Sequence, residues 1–282
     1  MKMNRRKFIS QSTMGAGAML LLPEFLKADG RAKVKHPIGF QTYPIRDMVT
    51  RDFAGTMKTM AGMGYQYTEM CYPAGYDDFK PLASVKASDL KKMIEDAGLK
   101  CPSCHFGMNN LKNNFGDCIE FAHALGMTQV VTPGLETPGK TIDDFKKACG
   151  ELNAIAAKAK SEGLATGLHN HEGEFKMLDG ELIYDAILGA LDAGLVKMQF
   201  QTEVIKLGYK GSDYFKKYPG RFISAHLSDW TADKKQVPVG QGVIDWKEFF
   251  AAAKTGGVKN FFVEMNFDTY KDSASYIHGL LG

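Results

Sequence analysis

Residues 160–175, KSEGLATGLHNHEGEF, contain the unit from which the chain is built. A charged helical stretch ends at Gly163, and an apolar run follows over 164–168. The run then stops at His169, Asn170, His171, Glu172 and Glu174. Glycine just past a helix takes the left-handed closing conformation at least cost. A short apolar run bounded by turn residues reads as a buried strand. All of these polar residues except Asn170 can hold a metal or move a proton. On an extended strand His169 and His171, two apart, point to the same face. Such a cluster at the end of a buried strand is costly to desolvate unless a cation or a substrate uses it.

The same unit recurs on both sides. Strands are predicted at 37–43, 65–72, 99–106, 128–132, 164–169, 196–204, 222–227 and 260–265. Helical patterns follow at 52–63, 86–97, 113–125, 142–162, 180–193, 212–218, 245–254 and 273–281. Gly64, Gly98, Gly126, Gly163 and Gly194 punctuate helix-to-strand passages. Thr141 and Asp144 have capping-box spacing, with Asp in place of the usual Glu or Gln. Strands alternating with helices imply parallel crossover units. Eight of them in about 250 residues match a closed barrel. The expected fold is therefore a single α/β domain, a (β/α)8 TIM barrel over 36–282. An open doubly wound sheet would carry GxGxxG after its first strand, and none is present.

Residues 1–35 read as an export signal and linker. The stretch 4–9, NRRKFI, resembles a twin-arginine signal, and an apolar stretch follows at 14–22. That stretch is shorter than the roughly 20 residues a spanning helix needs. A charged segment followed by a short apolar one is a signal peptide pattern. The expectation is a periplasmic protein with no stable membrane insertion once the signal is removed. The net charge of +3 is nearly balanced and partly carried by Lys2, Arg5, Arg6 and Lys7. No basic patch interleaved with aromatics marks a nucleic-acid partner. Five cysteines argue against a full disulfide framework. Cys101 and Cys104 have redox spacing but lie within a strand, so core packing is expected. The oligomeric state is left open, a homo-oligomer included.

In a closed barrel the site lies at the C-terminal ends of the strands. Those ends read Gln41, Glu69, His105, His169, His171, Gln201, Glu203, His226, Asp229 and Glu264. One histidine at a strand end is usually a hydrogen-bonded structural residue; several converging on one face define a site. Tyr43, Tyr72, Phe106, Trp230 and Phe267 flank the same ends and could stack on a bound ring or pack the mouth.

HNHEGEF (169–175), AHLSDW (225–230) with VGQGVIDW (239–246), and VEMN (263–266) resemble the xylose isomerase-like barrels, the sugar phosphate isomerases/epimerases. The resemblance extends over the whole of 36–282. It implies that Glu264 binds a divalent metal and moves a proton, that His226 is a ligand, and that His169 falls near a further ligand position. Gln201 stands where the family usually has a metal-binding aspartate, which removes one negative charge. Glu203, two residues on, is an alternative carboxylate. Glu69 and His105 match positions that touch substrate, and both join Glu264 as the candidate catalytic residues. Gln41, His171, Glu203, Asp229 and Trp230 are the candidate substrate contacts.

Imidazole and oxygen ligands suit one divalent ion, Mn, Co, Zn, Fe or Mg. An ion polarising a carbonyl acidifies the neighbouring C–H. Proton return to the opposite face gives epimerisation, return to the next carbon gives isomerisation, and loss of a leaving group gives elimination. The expected substrate is a non-phosphorylated or keto-sugar. A lyase acting on a 3-keto-glycoside and a metal-free carbohydrate-binding barrel are the alternatives.

Overall fold

The computed structural model describes residues 36–282, so the export signal read at 1–35 lies outside the described residues. Numbered in chain order, the barrel strands are β1 Gly39–Gln41, β2 Tyr67–Cys71, β3 Lys100–His105, β4 Gln129–Thr132, β5 Ala165–His169, β6 Val196–Gln201, β7 Phe222–Leu227 and β8 Asn260–Val263. Each pairs in parallel with its sequence neighbours, and β1 pairs with β8, so the sheet closes on itself. The expected (β/α)8 barrel is the observed one.

Alternation along each strand sends side chains to two environments. Ile38, Phe40, Met70, Val130, Leu168, Met198, Phe200 and Leu227 are no more than 2% exposed. They form the apolar layer between strands and helices, each large side chain stabilising by about 1.5–3 kcal/mol. The other face fills the barrel interior. Bulky branched residues ordinarily dominate there. Here Gln41, Glu69, Ser103, Gln129, Gln199, Ser224 and His226 occupy it, all at 0–1% exposure.

Local chemistry explains most helix ends. Asp144 N donates to Thr141 Oγ1 at 3.2 Å and Thr141 N to Asp144 Oδ2 at 3.0 Å, completing the expected capping box of Ile142–Ser161. Gly126 closes Phe115–Leu125 at φ 74°. Gly194 differs from the other punctuating glycines: its backbone is not left-handed, and its N–H donates to Asp192 Oδ1 at 2.7 Å.

Two boundaries depart from the sequence reading. The helix expected from Gly180 starts at Ile183, because Asp179 (φ 51°) and Gly180 (φ 81°) turn a two-stranded hairpin of Met177–Leu178 and Glu181–Leu182. Positive φ at both central residues is the demand of that hairpin turn, and Asp-Gly meets it. Strand six ends at Gln201, and a 3-10 turn, Thr202–Leu207, replaces its expected tail. All five cysteines are free and buried, as core packing requires. No helix among the described residues is long and apolar enough to cross a membrane.

Candidate active site

Register assembles the site. Gln41 lies beside Glu69, His169 beside Gln199, and Gln201 beside His226. Each pair belongs to adjacent parallel strands, so all of these side chains enter the barrel near its C-terminal mouth. Glu264 follows β8 directly, held by its N–H to Leu227 O at 3.1 Å.

At the centre, one imidazole joins two carboxylates. His226 Nε2 is 2.5 Å from Glu69 Oε2, and His226 Nδ1 is 2.8 Å from Glu264 Oε2. His226 and Glu69 are fully enclosed, while the Glu264 side chain is 17% exposed. Burial alone would lower the pKa of His226, but Glu264 and Glu69 outweigh it and raise it to about 10. Burial alone would raise Glu69, yet His105 and His226 hold it well below the usual carboxylate range. Glu264 is likewise lowered: burial opposes the shift, and His226 overcomes it. The three form a carboxylate–imidazolium–carboxylate bridge.

Two further histidines surround it. The His105 ring stacks on His226 at 5.3 Å and 7°, and His169 lies 4.5 Å from His226. Burial, followed by the charges of His226 and His105, pushes His169 well below the ordinary imidazole range. Ring nitrogens of His105, His169 and His226 all lie within 4.8 Å of one another. Glu264 adds a carboxylate oxygen, and Gln201 Nε2 donates to that same oxygen at 2.5 Å. Of the four expected ligands, His169 and His226 group with His105, while Gln201 and Glu264 meet each other and reach the group through His226 Nδ1. This imidazole-and-oxygen donor set fits a borderline divalent ion. Ligation by Gln201 would need its amide to turn over, since Oε1 now makes only long contacts, 3.3 Å to Glu203 N and 3.4 Å to Ser228 Oγ.

Several expected site residues act elsewhere. Glu203 is not on the strand face of Gln201: it sits on the 3-10 turn, 2.5 Å from Lys206 Nζ. Glu172 also pairs with Lys206, at 2.7 Å, and Glu174 accepts from His171 N. Of the ionisable cluster 169–174, His169 alone enters the buried centre. His171 is exposed, with its ring 4.8 Å from that of His169, as their two-residue spacing implied. Gln41 is fully buried and faces Glu69, at 2.9 Å, rather than the open mouth. Tyr72 and Phe106 pack against Phe121 in the core, whereas Tyr43 and Phe267 are 41% and 36% exposed.

Asp229, expected as a substrate contact, is fully buried and its carboxylate is taken up by neighbouring N–H groups. Its carboxylate accepts from Gly240 N (2.9 Å), Gly242 N (3.0 Å), Trp230 N (3.0 Å) and Trp246 Nε1 (2.7 Å). It therefore organises the loop after β7. A Cβ at Gly242 would lie 2.1 Å from Asp229 Oδ1, which accounts for glycine there. Asp229→Ala strands one buried donor, Trp246 Nε1, at about 1–3 kcal/mol, and three part-buried backbone donors at less. After partial relaxation the variant is expected to lose about 3 kcal/mol in urea unfolding. A loss below about 1 kcal/mol would mean that the loop holds without this carboxylate.

The expected site list omitted Gln199, Ser103, Gln129 and Ser224, the polar layer beneath the mouth. Gln199 Oε1 lies 2.7 Å from His105 Nε2 and 3.1 Å from His169 Nδ1, while its Nε2 donates to Glu69 Oε1 at 2.8 Å. The signal was present: Gln199 and Gln201 alternate with Phe200 on one strand. Lys206 was also missed. Its ammonium lies over the Trp230 ring at 4.1 Å, between Glu172 and Glu203.

Eight parallel strands closed into a barrel, with histidines and carboxylates gathered at their C-terminal ends, define a (β/α)8 barrel whose three buried histidines could hold a metal ion. The chain belongs to the xylose isomerase-like TIM barrel family, whose sequence model matches residues 57–279. Two solved sugar phosphate isomerase/epimerase structures from Parabacteroides distasonis ATCC 8503 superpose with TM-scores of 0.76 and 0.74. They share 22% and 25% identity, covering 90% and 86% of this chain and 97% of each of theirs. A structure of L-ribulose 3-epimerase superposes with a TM-score of 0.65 at 17% identity, over 87% of this chain and 95% of its own. The curated proteins give no match.

Proposed function

We propose that this protein is a carbohydrate isomerase or epimerase, assisted by one divalent metal ion, that removes a proton beside a carbonyl of a non-phosphorylated keto-sugar. The observation that carries this reading is the bridge Glu69–His226–Glu264, with one of its carboxylates open to the mouth. His169, Glu264 and Gln201 would hold the ion, with His105 adjacent, and His226 would join them on giving up one of the two ring protons it shares with Glu69 and Glu264. When bound, the ion polarises the substrate carbonyl and acidifies the C–H beside it.

The chain's own groups perform the proton transfer. Glu264, kept ionised by its neighbour His226, takes the proton at a carboxylate oxygen. Glu69, with no exposed surface, holds the His226 ring in place from below. Trp230 offers an aromatic face at the mouth and His171 a hydrogen-bonding ring. Return of the proton by Glu264 to the neighbouring carbon gives the aldose–ketose pair; protonation of the first carbon from the opposite face, by solvent water entering at the mouth, gives the epimer and leaves Glu264 to pass its proton to solvent. A neutral sugar is favoured because Lys206, the cation of the wall, is already paired with Glu172 and Glu203. Export through the twin-arginine route, our reading of residues 1–35, agrees with that choice, since phosphorylated sugars are intracellular metabolites.

The test is metal content by mass spectrometry, followed by incubation with keto-sugars in D2O. Near one ion per chain and deuterium uptake at the carbon beside the carbonyl are expected. No uptake of Mn, Co or Zn and no exchange would leave a carbohydrate-binding barrel as the better description.

A further inference from the structure

We infer that Gln199 is a positioning residue that fixes His169 as its Nδ1–H tautomer, leaving the Nε2 lone pair of His169 bare. This deepens the reading above, since a bare Nε2 is the atom through which His169 would ligate.

Gln199 is fully buried on β6, and its amide is held on both sides. On one side, Nε2 lies 2.8 Å from Glu69 Oε1 and 2.9 Å from Ser224 Oγ. On the other, Oε1 lies 2.7 Å from His105 Nε2 and 3.1 Å from His169 Nδ1. Nitrogen and oxygen of an amide are interchangeable in shape, so the direction must come from chemistry.

Glu69 supplies it. Gln41 Oε1 faces the Tyr43 backbone N–H at 3.1 Å, an unambiguous donor, so Gln41 Nε2 is the atom 2.9 Å from Glu69 Oε2. Ser103 Oγ at 2.5 Å and His226 Nε2 at 2.5 Å add two further donors. A carboxylate ringed by donors accepts only. Turning Gln199 over would set its carbonyl oxygen 2.8 Å from a Glu69 oxygen in a dry interior, where two facing acceptors repel. Gln199 Nε2 therefore faces Glu69, and its Oε1 faces the imidazoles.

A carbonyl oxygen carries no proton, so both ring nitrogens that meet it donate. His105 presents Nε2–H and His169 presents Nδ1–H. A neutral imidazole has one N–H, so His169 Nε2 keeps its lone pair. That nitrogen makes no hydrogen bond among the described residues. The hydrogen bond at one ring nitrogen sets which other nitrogen is free to ligate, and outer partners of this kind change metal affinity about 10–100-fold.

The test uses the full chain labelled with 15N-histidine, metal-free in chelator, read by long-range proton–nitrogen correlation. His169 is assigned by comparison with His169→Gln. The wild type is expected to show the Nδ1–H tautomer at His169. Gln199→Met, whose thioether is only a weak acceptor, is expected to lose it. Zn titration by calorimetry is expected to show affinity about 10–100-fold weaker in Gln199→Met. An Nε2–H tautomer at His169 in the wild type overturns the assignment, whether or not the variants fold. Unchanged Zn affinity in a folded Gln199→Met overturns its bearing on the metal. Because the tautomer is read without metal or substrate, failure of deuterium exchange would be a separate result.

Discussion

His226→Ala is expected to destabilise the metal-free barrel by about 3–5 kcal/mol, the usual cost of removing one partner from a buried ion pair. The substitution leaves Glu69, with no exposed surface, and Glu264 facing each other without a cation. The effect should depend on pH with a defined sign. The pKa of His226 is raised from 6.5 to about 10, so its contribution is complete below about 6.5 and is lost as pH rises through 10. Glu69 and Glu264 are shifted down, so their contributions hold above the ordinary carboxylate range and vanish as pH falls through their lowered values. In chelator, wild-type stability should therefore decline between pH 7 and pH 10 by up to a few kcal/mol, roughly 2–4 °C in Tm per kcal/mol for a domain of this size. The alanine variant should lack that alkaline decline. Denaturant titrations across the pH series measure both. A variant within about 1 kcal/mol of wild type, with the same pH profile, would mean that the bridge does not form.

Glu264→Gln separates chemistry from folding. Glutamine keeps an acceptor oxygen for His226 and Gln201, and the position is partly open to water, so unfolding stability should change by no more than about 1–2 kcal/mol. The side chain can no longer take a proton. Deuterium exchange into the keto-sugar is expected to fall by about 10²–10⁴, the usual contribution of general acid–base catalysis. Wild-type exchange in this variant would move the proton transfer to another group. A loss of exchange accompanied by collapse of stability would return Glu264 to a structural role. His226→Ala, by contrast, should lose both properties together.

The barrel could be read in the chain because its determinants are local. Apolar runs, closing glycines and the Thr141–Asp144 box each act within a few residues, and eight repeats of one pattern leave little choice of fold. His169, Gln201, His226 and Glu264 were legible for a related reason: each lies at or just past the end of an apolar run. The misreadings were local as well. Gly180 was read as the start of a helix although Asp179-Gly180 is a hairpin signal. Glu203 was placed on a strand that gives way to a 3-10 turn after Gln201.

Partner choice was not legible. Asp229 and Glu69 are both carboxylates at strand ends, and nothing in their neighbours distinguishes them. Asp229 is committed to backbone N–H groups of a loop that follows it, whereas Glu69 meets His226 at a separation of 157 residues. Alternation with Phe200 places Gln199 on the inner face beside Gln201, but only register sets it against His105, His169 and Glu69. The sequence by itself determined the fold class and the end of the barrel where reactive groups collect, since strand alternation and helix closure are short-range properties of the chain. The tertiary structure alone decided which of those groups meet, because barrel closure and strand register fix hydrogen-bond partners and charge states, and both depend on contacts between residues far apart in the chain.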